Sequence, residues 1–241
     1  MAKDDKVDVL AVGAHRDDVE ITCGGTVHKL VQKGYKVAIL DLTMGEMGSR
    51  GSAGLREEEA DCAAKILGVN SRFNLGLPDA FIENKRENRM KAVKILRQLK
   101  PELLILPYPE QRHPDHRKTP QLMYDACHLS GLSKVETGDL EPHRPSRIIY
   151  STSFLQFKPS IIIDITEQMD IKLKAVACYD SQFKPDPDKP VVYPPAFDIN
   201  EFILTDARYH GFRIEKKYGE PFFVKETMMI DDPVNLSVRS I

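Results

Sequence analysis

Two short stretches carry side chains that could do chemistry together. The first is Ala14-His15-Arg16-Asp17-Asp18-Val19-Glu20, a histidine beside paired carboxylates, with Cys23-Gly24-Gly25 just beyond. The second is Arg112-His113-Pro114-Asp115-His116. Imidazole and carboxylate together suit Zn²⁺, and also Fe²⁺. His15 and Asp18, with His116 from the second stretch, would give three ligands and one open position for a water. On zinc the pKa of such a water falls to about 7. Asp17 need not bind the cation. A carboxylate in that position can take a proton from the water and later return it to a leaving amine. His113, on a turn stiffened by Pro114, could in its protonated form donate to the oxyanion of a tetrahedral intermediate. Asp115 could hydrogen-bond His113 or a ligating histidine. The plain alternatives are a polar turn with an N-capping aspartate and a loop with a chance histidine pair.

For this chemistry to exist, about a hundred residues of intervening chain must bring the two stretches together. The first follows an apolar run, Val7–Ala14, and the second follows another, Glu102–Pro107. Between them, strand patterns at Lys36–Thr43 and Phe73–Leu77 alternate with helical spacing at Thr26–Gly34, Leu55–Leu67 and Arg86–Leu99. A further helix is expected over Thr119–Leu129, with Pro120 in its first turn. Repeated strand–helix units imply an α/β, Rossmann-like three-layer fold with a mostly parallel sheet. In a doubly wound sheet, strands 1 and 4 lie side by side where the winding reverses, and ligands bind at their C-terminal ends. The topology therefore places the two stretches together, with a metal site at the ends of strands 1 and 4. The second half is less regular. Strands are expected at Arg147–Ser153 and Ser160–Ile165, helices at Glu167–Tyr179 and Asn200–Tyr218, and a proline-rich loop at Ser181–Pro195. No linker divides the chain, so a single domain over 1–241 is expected.

Composition narrows the field. The formal net charge of −2 argues against nucleic acid as a partner. No apolar run reaches the ~18 residues of a membrane span, and the first residues show no apolar signal core. Cys23, Cys62, Cys127 and Cys178 are scattered without a C-x-x-C pair, so four reduced thiols in a cytoplasmic protein are expected. The stretch Met44–Gly54 holds four glycines and is expected to wall a pocket or move over it.

At these residues the chain resembles the LmbE-like, PIG-L-type zinc N-deacetylases, which act on N-acetylglucosamine derivatives. Their first motif, A-H-[P/A]-D-D-x-E followed by G-G, is matched by Ala14–Glu20 with Gly24-Gly25. Their H-P-D-H motif is matched by His113–His116. Thr43-Met44-Gly45-Glu46, Arg56–Ala60, Arg208-Tyr209-His210-Gly211 and Tyr218–Phe222 also fit. The resemblance implies one Zn²⁺ per chain on His15, Asp18 and His116, with Asp17 as general base and acid and His113 at the oxyanion. It is nearest to the bacillithiol-pathway deacetylases of N-acetylglucosaminyl malate, on Asp41-Leu42-Thr43, Asn74-Leu75, Pro78-Asp79 and Arg112. Arg56 is similar to a substrate-contacting arginine, and Arg112 could pair with a malate carboxylate. Arg16 stands where the family usually has Pro or Ala, and could contact an anionic substrate. The resemblance further implies a small-molecule amino-sugar conjugate as substrate and a homo-oligomer, trimer or hexamer. Rival readings are a deacetylase of another N-acetylglucosamine conjugate (of inositol, a phospholipid or an antibiotic sugar), a 2-His-1-carboxylate non-haem iron enzyme, a non-catalytic metal- or sugar-binding protein, and a nucleotide-binding Rossmann protein. The last is disfavoured because strand 1 is not followed by G-x-G-x-x-G and carboxylates there would repel a pyrophosphate.

Overall fold

A computed structural model describes residues 6–152, 155, 157–184, 198–236 and 238. The first half alternates strand and helix as the sequence implies: β1 (Val9–Gly13), α1 (Asp18–Gln32), β2 (Val37–Thr43), α2 (Ala53–Leu67), β3 (Ser71–Leu77), α3 (Arg86–Leu99), β4 (Leu103–Pro107) and α4 (Pro114–Ser130). The second half adds β5 (Arg147–Ser151), β6 (Ile161–Asp164), α5 (Met169–Val176), the single turn α6 (Asp180–Phe183), α7 (Ile199–Phe212) and β7 (Gly219–Phe223). Among the described residues all strands join one sheet of order β3-β2-β1-β4-β5-β7-β6. Strands β1 to β5 are mutually parallel, and β7 runs antiparallel between β5 and β6. The fold is thus the mostly parallel α/β sheet with helices on both faces.

The central strands read as unbroken apolar runs because both of their faces are covered. Leu10, Val12, Leu40, Leu104 and Leu106 pack toward α3 and α4. Val9, Ala11, Ile39 and Ile105 pack toward α1, α2 and α5. Each fully buried Leu or Ile contributes about 1.5–3 kcal/mol. That holds the sheet rigid while the strand-end loops carry charge. β1 pairs with β2 on one side and β4 on the other, with Val9 opposite both Val37 and Leu103. The C-terminal ends of β1 and β4 are therefore neighbours.

Several expectations need correction. The first helix begins at Asp18, eight residues before Thr26, and breaks at Cys23, whose φ of −144° is non-helical. The second segment starts where sequence spacing placed it. Its buried N-terminal N–H groups on Gly25 and Thr26 donate to the Glu220 carboxylate of β7 at 2.9 and 2.7 Å, and Lys172 Nζ lies 2.6 Å from the same carboxylate. Gly25 is obligatory here, because a Cβ would come within 2.8 Å of Ile165. The fourth helix begins at Pro114, not Thr119, so Pro120 lies inside it. Proline cannot donate to the carbonyl four residues earlier, which leaves that of His116 without its helical partner. The last long helix stops at Phe212, short of the expected Tyr218. The start of the expected proline-rich loop is helical in α6, and its residues from 185 to 195 lie outside the described residues.

The cysteines also depart from expectation. Cys62 on α2 and Cys178 just beyond α5 form a disulfide, with Cα atoms 6.0 Å apart, while Cys23 and Cys127 remain free and buried. Packing of α2 against α5 brings the pair within bonding range. A separation of 116 residues gives no sign of it in the sequence. Among the described residues no helix is long and apolar enough to cross a membrane.

Candidate metal centre and active-site cleft

The chain leaves β1 at Gly13 and turns directly into α1, so His15, Asp17 and Asp18 sit at the strand's C-terminal end. The Asp18 carboxylate folds back over this turn. Its Oδ2 accepts the backbone N–H groups of Ala14 and His15 at 2.8 and 2.9 Å. From the neighbouring strand β4, the second stretch enters α4 with His113 as N-cap and His116 in the first turn. The two stretches meet as the topology requires. His15 Nδ1 is 3.1 Å from His116 Nε2 and 3.6 Å from Asp18 Oδ2, and His116 Nε2 is 3.1 Å from Asp18 Oδ1.

These separations test the fit to a cation. Four donors placed tetrahedrally around Zn²⁺ at about 2.0–2.1 Å lie roughly 3.3 Å apart, the spacing found here. The far side of the His15 ring agrees. Its Nε2 is 3.1 Å from Asp79 Oδ1 and 3.5 Å from Asp115 Oδ2. Carboxylates behind Nε2 hold the proton there and turn the Nδ1 lone pair inward, the usual arrangement around a metal-binding histidine. Burial lowers the His15 pKa, but Asp115, Asp18 and Asp79 outweigh it and raise it well above the ordinary value. Burial likewise opposes ionisation of Asp18, and His116 and His15 reverse this to hold its carboxyl well below the usual range. Asp79 is held at about 2, burial being outweighed by the hydrogen bond to His15. The centre thus favours positive charge at the point where the three donors converge, and the residues present fit a divalent cation.

Asp17 is the N-cap residue of α1, yet its side chain makes no cap hydrogen bond. Arg56 holds it from the start of α2, with Nη2 3.3 Å from Asp17 Oδ2 and Nη1 donating to the Gly45 carbonyl at 3.2 Å. A Cβ on Gly45 would overlap that guanidinium, and the φ of +71° there also demands glycine. The glycine-rich stretch is therefore shaped around Arg56. His113 Nδ1 accepts the backbone N–H of Asp115 at 3.2 Å, which leaves Nε2 to carry the proton. Burial, and then His15 and His116, lower the His113 pKa. Nε2 is therefore the ring atom free to donate toward the cleft. Asp115 turns away from the cleft. It accepts the N–H groups of Ala80 and Ile82 at 2.7 and 3.2 Å and backs His15, as expected of a carboxylate behind a ligating histidine.

The cleft outside these groups has a volume of about 470 Å³ and is lined by His15, Asp17, Asp18, His113, His116, Arg56, Arg112 and Asp79, with Met47, Gly48 and Ser49 as one wall. Arg16 is absent from it. Its side chain is buried, with Nη1 donating to the Ala53 carbonyl at 2.7 Å at the start of α2. The charged group that replaces the family's small residue points to the start of α2, toward the Ala53 carbonyl and Glu57, and not into the cleft where an anionic substrate was expected to meet it.

Sequence reasoning missed several residues that build the centre. Asp79 is one. It joins His15 to the glycine-rich wall by accepting the N–H of Met47 at 2.9 Å. The Pro78-Asp79 pair at a strand end was the available signal. Beneath the Arg16–Asp17 turn lies a buried ionic cluster. Arg72 pairs with Asp41 through Nε and Nη2 at 2.7 and 2.9 Å and with Glu20 at 2.6 Å, and donates to the Arg16 carbonyl at 2.5 Å. Tyr179 also donates to the Arg16 carbonyl, and to Glu20 at 3.0 Å. Gln182 and Phe183 reach the cleft from α6, with no sequence signal to mark them.

Comparison with known proteins agrees with this geometry. Residues 10–127, from β1 through most of α4, match the family model described as PIG-L, GlcNAc-PI de-N-acetylase. The chain is 31% identical over 227 residues to diacetylchitobiose deacetylase of Thermococcus kodakarensis, covering 88% of this chain and 80% of that protein. This chain belongs to the PIG-L (LmbE-like) deacetylase family. It is thereby an enzyme of the hydrolytic deacetylase class. It is also 28% identical to the probable N-acetyl-alpha-D-glucosaminyl L-malate deacetylase 2 of Bacillus anthracis, covering 73% of this chain and 81% of that one. Among solved structures, the conserved protein TT1542 of Thermus thermophilus superposes with a TM-score of 0.83 at 36% identity, covering 93% of this chain and 98% of that chain.

Proposed function

We propose that this PIG-L deacetylase uses one Zn²⁺ on His15, Asp18 and His116 to hydrolyse the acetamide of a small N-acetylglucosamine conjugate. The observation that carries the reading is the convergence of His15, Asp18 and His116, with His113 close beside the two histidines and Asp17 lining the same cleft. A divalent cation held there would supply Lewis acidity to the amide carbonyl and acidify a water. Asp17, fixed by Arg56, accepts the proton of the attacking water. His113 donates its Nε2–H to the oxygen that gains charge as the tetrahedral intermediate forms. The C–N bond then breaks, and Asp17 returns its proton to the departing amine nitrogen. The products are acetate and a glucosamine-type amine. The pairing of His15 with Asp79 and Asp115 keeps one imidazole tautomer throughout.

For the remainder of the substrate, N-acetylglucosaminyl malate of bacillithiol biosynthesis remains our reading. Its support is that Arg112 lines the cleft, an arginine being the residue type suited to a malate carboxylate. Diacetylchitobiose is the second reading, favoured by the relative at 31% identity. Assembly into a trimer or hexamer belongs to the same proposal. It is supported by the exposed apolar Met228-Met229-Ile230 near the C-terminus, and sedimentation tests it. The decisive experiment is amine release from a panel holding both sugars, with chelated protein and with Zn²⁺ or Fe²⁺ restored. Release that needs the metal supports the reading, and no release from any acetylated sugar refutes it.

A further inference from the structure

A second, much smaller cavity adjoins the metal centre on the side away from the glycine-rich wall. Its volume is about 20 Å³, and it shares Asp18, His116, Ile21 and Gln111 with the main cleft. Its floor is the C-terminal end of the sheet: Val12 on β1, Pro107 on β4 and Ser151 on β5, with Thr22 and Thr152 beside them. A space of this size holds one water-sized group. Its hydroxyls are largely committed. Thr22 donates to the Asp18 carbonyl at 2.8 Å, Ser151 donates to Thr22 at 3.2 Å, and Gln111 donates to Thr152 at 2.7 Å. What the niche offers an occupant is therefore mostly the apolar surface of Val12, Ile21 and Pro107.

We infer that this niche receives the methyl group of the scissile acyl unit and restricts the enzyme to acetyl, with Ile21 and Thr152 as specificity-determining residues. The inference rests on the deacetylase reading and deepens it. An amide held for attack beside Asp18 and His116 must direct its acyl substituent somewhere, and the niche opens beside those two ligands. One methyl fills it. A propionyl group brings a further methylene against Val12 on β1, Ser151 on β5 and Ile21 in the first turn of α1, all nearly fully buried. Close-packed interiors do not yield cheaply to an added methylene.

The test uses the metal-loaded full chain with the N-acetyl, N-propionyl and N-butyryl forms of glucosaminyl malate and of chitobiose. A small apolar pocket discriminates one methylene by about 10–200-fold, so kcat/KM should fall by that factor from acetyl to propionyl and further for butyryl. Thr152→Ser and Ile21→Val each remove one methyl from the wall and should narrow the acetyl-to-propionyl ratio. In a parallel measurement, calorimetric binding of acetate should be stronger than that of propionate, a readout independent of turnover. Equal turnover of acetyl and propionyl sugars, an unchanged ratio in both variants, or equal binding of the two carboxylates would overturn the niche. If no acylated sugar is turned over, the deacetylase reading itself fails, while the carboxylate measurement still decides whether the niche selects by size.

Discussion

Replacing Arg72 by methionine should destabilise the protein in a pH-dependent way and disturb the Arg16–Asp17 turn. Arg72 is buried and donates to Asp41, Glu20 and the carbonyls of Ala60 and Arg16. Methionine fills similar volume and removes every donor. Leaving a buried carboxylate without its partner is worth about 3–5 kcal/mol of lost stability. For a chain of this size that is a fall in Tm of about 6–20 °C at neutral pH. Burial already raises the Asp41 carboxyl above its usual value, and Arg72 is the main group pulling it down. Without Arg72 its folded-state pKa climbs further. A carboxyl raised in the folded state stabilises while protonated and loses that contribution as pH rises through the raised value. The deficit should therefore be largest at about pH 8 and shrink toward about pH 5. Thermal melts of the parent and Arg72→Met across this range measure it. A companion variant that adds Asp41→Asn and Glu20→Gln, leaving no buried charge, should recover most of the loss. A Tm within about 2 °C of the parent at neutral pH, or a deficit equal at both ends of the range, would refute the reasoning.

Other expectations are equally concrete. Asp79→Asn keeps the shape beside His15 and removes the negative charge, so Zn²⁺ affinity should weaken by about 10–100-fold in a chelator competition; an unchanged Kd would show that Asp79 does not orient His15. Asp17→Asn should bind Zn²⁺ normally and lose about 10²–10⁴ in kcat, and near-normal turnover would end its assignment as the base. Reduction, or Cys62→Ser, frees a loop of 116 residues, for which the chain-entropy relation gives at most about 5 kcal/mol. A Tm drop of several degrees should accompany it, and an identical melt with both thiols titrated as free would contradict the pairing.

The sequence showed more of the fold than of the site's support. Unbroken apolar strands alternating with helical spacing identified the parallel sheet, and the order of strands alone brought His15 beside His116. Elements went astray where local pattern lost to a longer-range partner. The break at Cys23 is stabilised by Glu220, about two hundred residues later, so local periodicity placed the helix start at the second segment. Pro120 has the look of a first-turn proline and so draws the expected start of α4 too late, while Pro114 is the one that occupies the first turn. Asp79, Tyr179 and Gln182 were missed because each gains its role only through a contact absent from its own neighbourhood. Arg16 shows the opposite error. A charged residue beside a metal site invites an electrostatic role, yet it is buried against the Ala53 carbonyl.

The first motif divides into chemistry and architecture when each residue is followed to its partner. His15, Asp17 and Asp18 face the cleft. Glu20 faces the opposite way, into Arg72 and Tyr179, and Gly25 presses on Ile165. The second set fixes the backbone that aims the first. Two donors converge on the Arg16 carbonyl between His15 and Asp17, and the Glu220 carboxylate anchors the helix five residues beyond Glu20. A donor atom must stay within a few tenths of an ångström of its place to hold a cation. On a strand-end turn, such precision comes from the charged groups underneath. That is why a single run of residues must carry both functions, and why substitution at Glu20 or Gly25 should lower metal affinity although neither belongs to the proposed metal-ligand set.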